Sequence, residues 1–192
     1  RRGIDIGLIS RYPIVSATRH PVVLDGKKLS TRGVLEVELD VQGKKLVVLG
    51  NHWPSQANPV AHRIASAELV ASLAASHKAA FVVAVGDFNT IDKDKPYPFD
   101  VLSQFVDSET EARKQNVELN PGTYLSNGRW NSLDRIFVRQ GGVLTPDWLS
   151  FQILAEPWML ENSKRSGPKH FDPTTGQGFS DHLPVGIKIF LR

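Results

Sequence analysis

"AFVVAVGDFNT", residues 80–90, runs from a buried-strand pattern directly into an acid and an amide two positions apart. The apolar run ends with no polar buffer, so Asp87 and Asn89 stand at the mouth of the protein's own core. Strand alternation sends both to one side where the chain leaves the sheet. A carboxylate and an amide carbonyl placed there form a hard oxygen site of the kind Mg²⁺ or Mn²⁺ accepts. Asp and Asn also end strands simply as turn formers. The motif therefore takes its meaning from its company.

Three other apolar stretches end in the same way. "GFSDHLPVGIKIFL" puts Asp181 and His182 immediately before the terminal strand pattern. Adjacent side chains point apart, so Asp181 suits a metal or water and His182 a phosphate, its imidazolium favoured by a carboxylate neighbour. "VVLGNHWPSQ" ends a buried strand in Asn51 and His52, and Pro54 then breaks the ladder. "RWNSLDRIFV" sets Asp134 in an apolar strand pattern, where a carboxylate is costly without a partner. An imidazolium is one partner, and Arg135 is another.

The remainder reads as one α/β domain. Strands are predicted at 4–9, 33–41, 44–51, 80–87, 132–138 and 184–191. "VLEVELDV" alternates and so wets one face, whereas Leu46 to Leu49 are continuously apolar and expect cover on both. "QGK" between them makes a tight hairpin. Residues 59–77 form the strong helix, with Val60, Ile64, Ala67, Val70, Ala71 and Ala74 on its core stripe. A shorter helix is expected near 97–105, and 107–122 and 156–180 read as long irregular segments.

Bulk composition excludes some chemistries. The chain has 192 residues, 41% hydrophobic and 22% charged, which suits a single soluble domain. There is no Cys, so disulfides and thiolate metal sites are out. No apolar run approaches the roughly 20 residues of a membrane span. A secreted or periplasmic location is the favoured expectation, although absent Cys also suits the cytosol. Net charge is +3, which permits a polyanionic partner without requiring one. A monomer is expected.

In order, "GLISRYPI", "GNHWPSQ", "GDFN", "SLDRIFV" and "SDHLPV" resemble the endonuclease/exonuclease/phosphatase superfamily, which includes deoxyribonuclease I, exonuclease III, sphingomyelinases and inositol polyphosphate 5-phosphatases. The resemblance implies an α/β fold, a four-layer α/β/β/α sandwich of two mixed, mainly antiparallel sheets. It implies a Mg²⁺- or Mn²⁺-dependent hydrolase of phosphate esters, a nuclease before a phospholipid or small-molecule phosphatase. It also implies roles. His52 contacts the scissile phosphate, and Asp87 orients or deprotonates the attacking water with Asn89 beside it. Asp87, Asn89 and Asp181 serve the metal. His182, held by Asp134, stabilises the transition state, and either Asp87 or His182 is the base. A non-catalytic binding module is the reading from a different class.

The family also carries an Asn and a metal-binding Glu ahead of the "GLISRYP" stretch, and Glu36 and Glu38 do not replace them. The expectation is a longer parent protein, with these residues alone binding Mg²⁺ poorly and turning over slowly. For gripping a nucleic acid or other phosphate ester, Trp53, Arg129, Trp130, Lys164 and Arg165 are the candidates, with Lys169 and His170 nearby. The two indoles equally suit packing, and the basic loop equally suits solvent.

Overall fold

The computed structural model describes residues 5–78, 80–139, 144–161 and 167–191. The first half holds strands Ile14–His20 (β1), Val23–Leu24 (β2), Lys27–Lys28 (β3), Val34–Val41 (β4) and Lys44–His52 (β5), then helix Val60–Ser76 (α1). Strands Phe81–Asp87 (β6) and Phe105–Asp107 (β7) follow, with helix Ser108–Lys114 (α2). The rest comprises Tyr124–Ser126 (β8), Arg129–Asn131 (β9), Asp134–Arg139 (β10), Leu144–Ile153 (β11) and Val185–Leu191 (β12). No helix among the described residues is long and apolar enough to cross a membrane.

Six strands form one mixed sheet in the order β1-β4-β5-β6-β10-β7. Only β5 and β6 are parallel neighbours, and α1 is the crossover that a parallel pair requires. The continuous apolar run in β5 is explained by cover on both faces, as its sequence predicted. Val47 and Leu49 pack with Val34 against Ala67, Val70 and Ala74 of α1. Val48 faces the other way, with Val37, Leu39 and Val41, towards Phe151 and Ile153 of β11. Strands β11 and β12 form a separate antiparallel ribbon on that second face. The alternation of β4 holds too, with Asp40 exposed while Val37 and Leu39 are buried.

Several expectations need correction. Residues 5–10 form no strand; instead Ile6 and Leu8 lie in an apolar recess against Leu35, Val48 and Val85. Strand β1 falls later, and the helix expected near 97–105 is a single 3₁₀ turn, Pro98–Leu102. The segment 107–122 contains α2, whose N-terminus is capped by the Asp107 carboxylate accepting from the Glu109 N–H at 3.0 Å. The core stripe of α1 is narrower than expected, since Val60, Ile64 and Ala71 are only half-buried.

Candidate active site

Sheet register brings the strand-end residues together. Asp87 at the end of β6 is the lateral neighbour of His52 on parallel β5 and of Asp134 on antiparallel β10. Three strands thus deliver their polar ends to one edge, the carboxyl end of the parallel pair. Gly86 makes this approach possible. A Cβ there would lie 2.1 Å from the Asn51 carbonyl oxygen, and its φ of +125° suits no other residue.

Asp134 Oδ2 lies 2.7 Å from His182 Nδ1. His52 Nε2 approaches Asp87 Oδ2 at 3.4 Å. Asn89, in the left-handed region at φ 46°, turns back on Asp87: its N–H donates to Oδ1 at 2.8 Å and its Nδ2 to Oδ2 at 2.7 Å. Nδ2 also donates to the Trp53 carbonyl at 3.0 Å, which leaves Oδ1 as the ligand atom Asn89 can offer. The Tyr124 ring lies over His182 with centroids 4.8 Å apart. Thr123, fully buried, accepts the Asp134 N–H on its hydroxyl at 3.2 Å and the Leu183 N–H on its carbonyl at 2.8 Å. Thr123 stands just ahead of β8, and Tyr124, the first residue of β8, bridges His182, so this short stretch anchors the backbone beside both members of the Asp134–His182 pair.

These groups open onto a cleft of about 1080 Å³. Its charges push the titrations apart. Burial first, and the Asp134 carboxylate second, raise Asp87 from 3.8 to about 6. Burial, then the Arg32 guanidinium and His182, lower His52 to about 4, so it is neutral at neutral pH. For His182, burial favours the neutral ring, but the Asp134 hydrogen bond and charge, with Asp87 and Asp181, outweigh it and raise the pKa.

A divalent cation fits this donor set. Asp87, Asp134 and His182 bring titratable atoms within 4.8 Å of one another; with His182 Nδ1 committed to Asp134, the Asp87 carboxylate and Asn89 Oδ1 are the hard oxygen donors offered to a cation, and the two carboxylates on adjacent strands carry the excess charge it offsets. Asp181 lines the same cleft, exposed, outside that cluster.

The sequence-based substrate candidates fare unevenly. Trp53 is a core residue, 1% exposed and edge-on to Phe88 at 4.8 Å, and this corrects its expected role. Alternation is the reason: His52 faces the cleft, so its successor turns inward and donates its indole N–H to Asn51 at 2.9 Å. Trp130 is half-buried beside the cleft rather than in it, and Arg129 is exposed on the β8–β9 hairpin. Lys164 and Arg165 lie outside the described residues. Sequence reading missed Arg32. It sits in the β3–β4 connection within a plain turn sequence, and only folding shows its charge acting on His52 and Asp87.

The model of the endonuclease/exonuclease/phosphatase family matches residues 1–191. The chain belongs to this family. Among solved structures it is similar to zebrafish (D. rerio) TDP2 complexed with single-strand DNA product, at 18% identity and a TM-score of 0.64, covering 94% of this chain and 69% of that one. It is also similar to a family protein from Leptotrichia buccalis (14% identity, TM-score 0.62, 94% and 62% covered). A mannosyl-6-phosphatase from Bacteroides thetaiotaomicron gives 15% identity and a TM-score of 0.59, with 93% and 67% covered. Against a humanized zebrafish TDP2 the chain spans 60% of that protein's length. No curated protein matches by sequence. At these identities the likeness establishes the mixed α/β fold.

Proposed function

We propose that this domain hydrolyses phosphate esters by attack of water on phosphorus, and that its substrate is a phosphodiester of a nucleic acid. The carrying observation is the convergence of His52, Asp87 with Asn89, and the Asp134–His182 pair on one cleft. Family membership supports the ester class, and among proteins of this fold TDP2 is seen with a DNA product and another is a sugar phosphatase.

Each residue has work that its environment permits. Asp87 ionises above about pH 6 and can then take the proton of an attacking water, held still by the two Asn89 donors. His182, kept protonated by Asp134, can donate to a phosphoryl oxygen as negative charge grows there. Neutral His52 can direct a ring N–H to a second oxygen without contributing charge. Arg32 supplies a fixed cation to the same cleft. A bound Mg²⁺ or Mn²⁺, held by Asp87 with Asn89 Oδ1 and Asp181 as further oxygen donors, would neutralise phosphoryl charge.

Charge count ties substrate entry to the cation. Among the described lining residues, Arg32 and protonated His182 face Asp87, Asp134 and Asp181, an excess of one negative charge. One divalent cation reverses this to one positive, so an anionic phosphate ester is drawn into the cleft with the metal rather than ahead of it. The test is turnover with Mg²⁺ or Mn²⁺ on plasmid DNA, an RNA, sphingomyelin and bis-p-nitrophenyl phosphate. Cleavage of nucleic acid and the small diester is expected. Cleavage of sphingomyelin alone would move the substrate to lipids, and no cleavage would leave a binding module.

A further inference from the structure

Two turns leave the parallel strands at the cleft, and a side chain that the chemistry above does not use ties them together. Residues 53–58 follow β5, and residues 88–94 follow β6 and carry Asn89. Gln56, exposed on the cleft wall, spans from the first turn to the second. Its Nε2 donates to the Asn89 carbonyl and, at 3.3 Å, to Asp94 Oδ2, while its Oε1 faces Arg63 Nη2 at 3.5 Å. The buried Arg63–Asp94 ion pair dictates this orientation. Reversing the amide would set its oxygen against the Asp94 carboxylate and the Asn89 carbonyl, and its NH2 against a guanidinium. Arg63 anchors both turns as well, donating to the Ser55 carbonyl at 3.1 Å and to Asp94 Oδ1 at 2.8 Å.

Asn89 needs such a hold. Its φ of 46° is left-handed, a conformation that an L residue keeps only where its surroundings impose it. From that backbone its N–H and Nδ2 reach the two Asp87 oxygens at 2.8 and 2.7 Å. The Asn89 carbonyl, on the far side of the turn, takes its hydrogen bond from Gln56. Releasing that carbonyl frees the turn to leave the left-handed region. Both donors on Asp87 then go with it, and so does the Oδ1 that Asn89 offers to a cation.

We propose that Gln56 is a positioning residue, which carries the orientation set by Arg63 and Asp94 to Asn89 and so keeps Asp87 aimed for catalysis. This rests on the phosphodiesterase reading, and the experiment separates the two. Hydrogen exchange of the Asn89 backbone N–H by NMR, kcat and KM on bis-p-nitrophenyl phosphate with Mg²⁺, and melting temperature are measured for wild type, Gln56→Ala and Gln56→Glu. Gln56→Ala is expected to speed that exchange and lower kcat, each roughly 10-fold, with KM changed less than about 2-fold and the melting temperature little moved. Gln56→Glu keeps the shape but sets an acceptor against Asp94 and the Asn89 carbonyl, and is expected to lose at least as much. Wild-type exchange in Gln56→Ala, wild-type turnover in Gln56→Glu, a loss carried by KM alone, or a collapse in melting temperature would overturn the positioning role. A wild type that cleaves no phosphate diester, with the exchange difference intact, would overturn the catalytic reading alone and leave the positioning standing.

Discussion

Arg63–Asp94 and Asp134–His182 are acid–base pairs of nearly equal length, 2.8 and 2.7 Å, that serve the same strand ends in different surroundings. Arg63 and Asp94 are 2% and 7% exposed, and almost every remaining valence is filled. Arg63 Nη1 donates to the Ser55 carbonyl at 3.1 Å, while Asp94 Oδ2 accepts from the Ile91 N–H at 3.1 Å and from Gln56 Nε2 at 3.3 Å. Gln56 Nε2 also donates to the Asn89 carbonyl, which couples the sealed pair to the site. Asp134–His182 is half-open to the cleft and stands beside a third ionisable group, Asp87. A sealed pair with satisfied neighbours is scaffold. An open pair beside an uncompensated carboxylate can change protonation, and so can do chemistry.

Breaking the scaffold pair should give the largest effect. Arg63→Met leaves Asp94 buried without its cation and is expected to cost about 3–5 kcal/mol of stability in urea denaturation. Adding Asp94→Leu should recover much of that, because removing both charges ends the desolvation penalty. A single-variant loss below about 1 kcal/mol would mean that the pair acts like an exposed bridge.

Breaking the open pair should leave the fold and remove the rate. His182→Ala is expected to lower kcat at least ~100-fold, a barrier change of about 2.7 kcal/mol, with little change in melting temperature. Asp134→Asn should cost less, about 10-fold, since the imidazole remains and only its orientation and charge are loosened. Turnover of His182→Ala near wild type would overturn its role. A collapse in melting temperature would make the pair scaffold after all.

The contrast also marks what the sequence could disclose. Asp87, Asn89, Asp134, His52, Asp181 and His182 were legible because each ends or interrupts an apolar strand run, where a polar residue lacks a packing reason. Arg63 was hidden inside an amphipathic helix, where a basic residue is unremarkable; nothing local says that it points at Asp94, 31 positions on. Strand β1 was missed because its residues are almost all exposed and lack alternation, and β11 because Pro146 and a register irregularity interrupt it. The α2 helix did carry a local signal, Asp107 followed by acids in the first turn and bases in the last, but at seven residues it offered little periodicity. The action of Arg32 on the site is a product of tertiary proximity alone.

Asp87 gives the smallest and most discriminating effect. Burial and the neighbouring Asp134 charge raise it to about 6, against the lowering influence of His182, the Asn89 N–H and Arg32. In metal-free protein, carboxyl-carbon NMR should place its midpoint near 6, and Asp134→Asn should move it towards 3.8 by removing the second-largest raising cause. The sign follows from which form the fold prefers. A carboxyl raised above its unfolded value adds stability below that value and loses it as pH rises through about 6, so Asp87→Asn should flatten the stability profile there. Catalysis runs the other way, needing the ionised form, so the group is held at some cost to the fold for its reactivity. Mg²⁺ that binds Asp87 must lower the midpoint, because a cation favours the carboxylate. A midpoint near the ordinary carboxyl range in metal-free protein, unmoved by Asp134→Asn, would show that the two carboxylates do not feel each other, and the distinction between the open pair and the sealed one would lose its electrostatic basis.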